Sequence, residues 1–224
     1  MSSKGRARVY IDGFNLYYGA LKGTKEKWLD LSCWSAMLLP GYTVDRIVYC
    51  TARVSPRPHD PDTHVRQDAY IRALSTLPNV HVIEGKFNVS KPWMHRVPGA
   101  KCDCCGGLLP ACACCSNDSV QVVKTEEKGS DVNLAVQLVS DGFQDLFDTA
   151  FVVSDDSDIQ PAVDVVRGQL GKRVVVADPR NRQHPSLVGD DRRKIRRPAL
   201  EQSQFASPVI DAVGREIARP AGWG

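Results

Sequence analysis

The stretch Phe151-Val152-Val153-Ser154-Asp155-Asp156-Ser157-Asp158 constrains the fold most. An apolar β-branched run breaks into a knot of acids and serines, and helical spacing begins directly after it, from Ile159 to Leu170. That is a buried strand feeding a helix through a short turn. In open parallel α/β sheets, ligands bind outside the carboxyl ends of the strands. Acids placed there have a backbone fixed by the strand and side chains free in a crevice. Three carboxylates within four residues repel one another. A unit-charge pair ~4 Å apart costs about 4 kcal/mol at an effective dielectric near 20. A divalent cation offsets that cost; so does solvation at an exposed turn, where Asp and Ser are ordinary N-cap residues.

The same strand-to-helix pattern recurs along the chain. Arg8-Val9-Tyr10-Ile11 reads as a first buried strand, ending at Asp12-Gly13-Phe14-Asn15, after which Leu16-Tyr17-Tyr18 opens a helix. Asp12 is therefore a strand-end acid, with an N-cap or Asx-turn role as its plain alternative. Residues 30–39 read as a short helix, 45–51 as a strand with Cys50 in the core, 63–77 as a helix and 80–85 as a third strand. Cys33 is expected to be a core residue as well. Ser130 or Asp131 starts a helix that runs to Gly142, and its amide end attracts anions. Thr149–Ser154 and Val174–Ala177 complete the strands, and residues 218–224 read as frayed. Strands alternating with helices predict an α/β fold with a mainly parallel sheet. Asp12, Asp156 and Asp158 then fall at strand ends and Asp131 at a helix start, on one edge of that sheet. Such a ring of carboxylates suits Mg2+ or Mn2+, bound through oxygen with waters kept in the shell. No serine–histidine pair or Gly-rich phosphate loop competes for the role.

Net charge is +3, too small to argue for nucleic acid, but its distribution is uneven. Arg192, Arg193, Lys194, Arg196 and Arg197 form a basic run that is either a solvated face or a guide for a polyanion. The N-terminus lacks a signal-peptide apolar region and no run approaches the ~20 residues that span a bilayer, so a cytoplasmic protein is expected. Cysteines in that compartment are thiols or metal ligands. Six of the eight fall within residues 102–115. Cys102/Cys105 and Cys112/Cys115 are two C-x-x-C pairs, which together offer a tetrahedral site for structural Zn2+. A redox-active thiol loop and a disulfide knot are the alternatives. Cys104 and Cys114 are surplus to four ligands.

Tyr10-Ile11-Asp12-Gly13-Phe14-Asn15-Leu16-Tyr17-Tyr18 resembles the opening motif of the NYN domain, the PIN-like nuclease group that includes the LabA-like (DUF88) proteins. Lys128-Gly129-Ser130-Asp131 is similar to the group's K-G-x-D helix start. Asp148 with Ser154–Asp158 is similar to its D-x-x-x-x-x-S-G-D-S-D-F block, and Gly171-Lys172-Arg173-Val174 to its final strand start. Leu200-Glu201-Gln202-Ser203-Gln204-Phe205 echoes a late family segment. The resemblance implies a PIN-like, Rossmann-like three-layer α/β/α sandwich over residues 1–210, apart from the Cys-rich zinc-binding insertion read at 99–118 from its C-x-x-C pairs; residues 211–224 are read as a tail. It implies metal-dependent cleavage of RNA phosphodiester bonds. Asp12, Asp131, Asp156 and Asp158 are then the catalytic acids and Mg2+/Mn2+ ligands, with Asn15 and Ser154 as polar site groups. Lys128, Arg192 and Arg193 are the expected phosphate contacts, and a homodimer is compatible with the pattern. Two departures stand out: Asp155 replaces the usual Gly, and Gln137 stands where many relatives have Asp. Alternatives are a non-catalytic RNA-binding module on the same fold, a metal-dependent phosphatase or nucleotidase, and a zinc-mediated interaction protein.

Overall fold

A computed structural model describes residues 5–56, 60–101, 105–108 and 119–223. Its main body, residues 1–86 and 128–224, carries most of a seven-stranded sheet, whose strands Val80–Ser90 and Lys124–Lys128 extend into residues 87–127. The strands are β1 (Gly5–Asp12), β2 (Tyr42–Ala52), β3 (Val80–Ser90), β6 (Lys124–Lys128), β7 (Thr149–Val153), β8 (Arg173–Ala177) and β9 (Asp191–Arg192). Their order is β6-β3-β2-β1-β7-β8-β9. Neighbours from β3 through β9 run parallel. From β1 the chain winds outward through β2 to β3, then returns past β1 to lay down β7 and β8. The winding direction therefore reverses between β1 and β7, the switch point at which open α/β sheets form their ligand crevice.

Successive side chains of a strand point to opposite faces, and both faces of this sheet are covered. Val9, Ile11, Tyr49, Phe151, Val153 and Val175 belong to one core cluster, together with Trp28, Trp34 and Leu74. Tyr10, Val48, Cys50, Val152, Val174 and Val176 belong to the other, with Leu134, Leu138 and Val163. The first face is covered by α1 (Gly13–Leu16) and its π-helical continuation Tyr17–Leu21, α2 (Leu31–Leu38), α3 (Thr63–Leu74) and α6 (Arg197–Gln202). The second is covered by α4 (Ser130–Phe143) and by α5 (Gln160–Asp164) with its π-helical extension Val165–Gln169. This is the three-layer α/β/α arrangement of the PIN-like folds.

Two expectations fail locally. Cys33 is exposed, because the inward position of α2 goes to its neighbour Trp34. The last residues do not fray throughout: Trp223 is buried against Trp28 and Tyr70. The antiparallel pair β10 (Val209–Ile210) and β11 (Glu216–Ile217) precedes it.

Residues 87–127 form a second compact unit. It contains an antiparallel pair, β4 (Trp93–His95) with β5 (Ser119–Gln121), and a bridge between Lys101 and Leu108. Of the four expected zinc ligands, Cys102, Cys112 and Cys115 lie outside the described residues, as do Cys104 and Cys114. Cys105 is described and exposed. Among the described residues no helix is long and apolar enough to cross a membrane.

Candidate active site at the sheet edge

Ile11 pairs with Val153 across β1 and β7, so the residues that follow, Asp12 and Ser154, leave the sheet side by side. Both are buried. Asp12 is the N-cap of α1, accepting from the backbone N–H of Asn15 at 3.0 Å. The Asn15 amide donates to its other oxygen. The Ser154 hydroxyl donates to Asp12 Oδ2 at 3.3 Å and accepts from the backbone N–H of Asp156 at 3.1 Å. Asp156 in turn caps the 3-10 turn Ser157–Ile159, accepting from the Asp158 N–H at 2.9 Å. One hydroxyl thus ties the acid at the end of β1 to the acid turn at the end of β7. Asp12 and Asp156 are both N-caps, and both caps sit on the same edge of the sheet.

Burial pushes the Asp12 carboxyl above the ordinary aspartate range, against the opposing pull of the Asn15 and Ser154 hydrogen bonds. A cation would hold it ionised. Mg2+ takes one or two carboxylates and fills the rest of its shell with water and substrate phosphate. Asp12 and Asp156 fit that open kind of site. They do not fit a closed protein cage: among the described residues no three His, Cys, Asp or Glu side chains converge to hold a metal. Asp131 lies in the first turn of α4, whose N-cap is Gly129 in the left-handed region at φ 102°. That helix packs on β1 and on Ser157–Ile159. Asp158 is exposed beside Asp156.

Both departures from the family pattern resolve into ion-pair networks. Asp155 is buried against Arg180 and Arg182. Arg182 also bonds Asp178, at the end of β8, at 3.0 Å. The extra charge is thereby neutralised beside the site. Gln137 donates to Asp141 at 2.7 Å, and Asp141 accepts from Tyr10 at 2.8 Å and pairs with Arg8 at 3.0 Å. An aspartate at 137 would face that buried carboxylate. Asp148 of the family block belongs to the other end of β7, where it pairs with Arg6 at 2.7 Å. Arg192 spends its guanidinium on the carbonyls of Arg182 and Gln183, and Arg193 lies 4.0 Å from Asp191.

Sequence reasoning missed a neighbouring cavity of about 310 Å3, lined in part by Phe14, Tyr17, Tyr18, Tyr49, Tyr70 and Trp223. Tyr49 connects it to the acids. Burial and the charge of Asp12 both push its phenol upward. A Cβ on Gly13 would lie 2.6 Å from the Tyr49 ring and 2.7 Å from its hydroxyl, so the glycine makes this approach feasible. Alternate aromatics on strands and helices read as core from sequence, and only their convergence marks a pocket.

The NYN domain model matches residues 111–188, which takes in Lys128–Asp131 and Ser154–Asp158. The family resemblance is borne out there, and NYN is a PIN-like nuclease family. The chain is also 34% identical over 204 residues to 6-hydroxy-3-succinoylpyridine 3-monooxygenase HspA of Pseudomonas putida (strain DSM 28022 / S16). That alignment covers 83% of this chain, which spans 63% of the length of the relative. A Vibrio parahaemolyticus protein of unknown function matches with a TM-score of 0.47 and 16% identity, over 88% of this chain and 96% of its own.

Proposed function

From the NYN match and the linked acids, we propose that this chain is a metal-dependent ribonuclease. The observation that carries the reading is the bond chain Asp12–Ser154–Asp156 at the switch point of the sheet. Asp12 and Asp156 would hold Mg2+ or Mn2+, with Asp131 and Asp158 as further ligands or as the base that orients water. The cation supplies charge neutralisation and a water of lowered pKa. Ser154 and Asn15 fix the Asp12 carboxylate in one orientation. Water oxygen bonds to phosphorus as the P–O3′ bond breaks, leaving a 5′-phosphate and a 3′-hydroxyl. Lys128 would contact the phosphates, while Arg180 and Arg182 are engaged by Asp155 and Asp178. Arg192 and Arg193 remain proposed contacts at lower reach, since Arg192 is held by backbone carbonyls. Zn2+ on Cys102, Cys105, Cys112 and Cys115 remains part of the proposal, as a structural site.

The test is cleavage of a panel of single-stranded and structured RNA in Mn2+, by wild type and by Asp156→Asn, with EDTA as control. Cutting that survives either EDTA or the substitution removes the metal mechanism. Binding without cutting moves the reading to an RNA-binding module.

A second reading is favoured by the aromatic pocket together with the monooxygenase relative. In it, the pocket holds a pyridine acid, and dioxygen plus a two-electron reductant deliver one oxygen atom to the ring and one to water. Turnover of 6-hydroxy-3-succinoylpyridine under those conditions, in the absence of RNA cleavage, would select this reading.

A further inference from the structure

The cavity beside Asp12 has the size of a small-ligand pocket, large enough for one or two fused rings. Its walls come from segments far apart in the chain: the α1 turn, β2, α3 and the C-terminal Trp223. They are walls of flat rings. Tyr49 meets Tyr70 edge to face, with centroids 6.2 Å apart at 88°. Tyr70 meets Trp223 at 5.8 Å and 65°, and Phe14 stacks on Tyr18 at 6.4 Å and 21°. Tyr70 is held in place by a 2.9 Å hydrogen bond to the Leu29 carbonyl.

Cations stand among these rings. Lys22 lies 5.1 Å above the centroid of Tyr18. Lys27 reaches the Gly222 carbonyl at only 3.5 Å. Among the described residues neither lysine makes an ion pair, whereas Arg66 on the same wall is neutralised by Asp60 at 2.6 Å. A void left by poor packing would be apolar and closed. This one is aromatic on its faces and cationic at its edge, and it adjoins the acid pair through Tyr49.

We propose that this pocket binds a planar heteroaromatic ring carrying an anionic arm, the ring against the aromatic walls and the arm at Lys22 and Lys27. Two sources share that chemistry: a nucleotide of RNA and a free pyridine acid. The assignment deepens the proposed function and rests on it only for which of the two supplies the ring. Either way, the position beside Tyr49 brings the ligand's reacting end toward Asp12.

The experiment is calorimetric titration of the full chain in EDTA, where no cleavage occurs. The probes are 5′-UMP, 5′-AMP, 6-hydroxy-3-succinoylpyridine and, as the anion without a ring, ribose 5-phosphate. Tyr18 is 42% exposed, so Tyr18→Ala leaves the core in place. It is expected to weaken ring ligands about tenfold, in line with the cost of losing one stacking partner. Tyr18→Phe should keep the affinity, and Lys22→Gln should weaken the anionic ligands while sparing uridine and adenosine, titrated as the rings without the anion. Binding of either ring ligand with this pattern supports the pocket, and the probe that binds identifies the source. Ribose 5-phosphate binding as tightly as the nucleotides overturns it. So does binding by none of the ring ligands, or affinity unchanged in Tyr18→Ala. Failure of RNA cleavage sinks the nuclease reading alone, because no titration depends on it.

Discussion

Asp12 carries the sharpest consequence at the scale of single residues. Its carboxyl titrates above the ordinary range because it is buried. A raised folded pKa means that folding favours the protonated acid, so this stabilisation is full at low pH and is lost as pH rises through the folded value. Melting temperature should therefore fall as pH rises from the ordinary Asp pKa, about 4, through the raised folded value. Asp12→Asn should flatten that slope. Added Mn2+ should raise the melting temperature of wild type at neutral pH and leave Asp12→Asn unmoved; equal shifts in both would remove Asp12 from the metal site. Asp156→Asn keeps a capping side chain, so stability should hold while RNA cleavage falls about 100-fold, as when one charge-stabilising group is removed from an active site. The acids were legible in the sequence because a strand end followed by a helix start fixes where a side chain emerges. Ser154 was legible only as a polar neighbour. That it bridges Asp12 and Asp156 depends on the β1–β7 register, which no local pattern encodes. Nor does any local pattern show Asp155 buried in ion pairs, since its partners Arg180 and Arg182 come from beyond β8.

At the scale of elements, the α1 turn is the most tightly constrained. Gly13 must admit the Tyr49 phenol and the Cys50 carbonyl, which a Cβ would approach to 2.9 Å. Gly13→Ala should cost about 1–3 kcal/mol by overpacking, read as a lowered denaturation midpoint. Adding Tyr49→Phe should recover part of the loss, because the hydroxyl is one of the clashing atoms; no recovery would place the strain on the Cys50 carbonyl alone. Gly129 poses a different constraint, since it starts α4 from a left-handed backbone. Gly129→Ala should cost about 1–2 kcal/mol through that conformation alone. Strands β1, β7 and β8 were legible because both of their faces are apolar. β2 and β3 run longer than expected: their ends, Tyr42–Val44 and Lys86–Ser90, alternate apolar and polar residues, and Tyr42 and Val44 pack at the margin of the core, a period-two signal only a few residues long. Trp223 was misread for a related reason: one aromatic in a polar tail looks frayed until Trp28 and Tyr70 meet it from residues far away.

For the whole molecule, the question is how much of the chain the site needs. Among the described residues, every member of both core clusters belongs to the main body. β3 and β6 are neighbours in the sheet, and Gly129 lies beside Gly85, so the chain leaves and returns at nearby points. Replacing residues 91–123 by a short Gly/Ser linker should therefore leave the main body folded. Its melting temperature should stay within about 4 °C of wild type, the shift expected for roughly 1 kcal/mol in a domain of this size. Asp12, Ser154, Asp156 and the aromatic pocket all remain in that variant. If the acid pair is the whole catalytic apparatus, Mn2+-dependent cutting persists while zinc, measured by elemental analysis, disappears with the cysteines. If cutting of structured RNA is lost while that of a dinucleotide survives, the excised unit selects the substrate. A variant that retains zinc would place the metal outside the Cys-rich segment and end its assignment there.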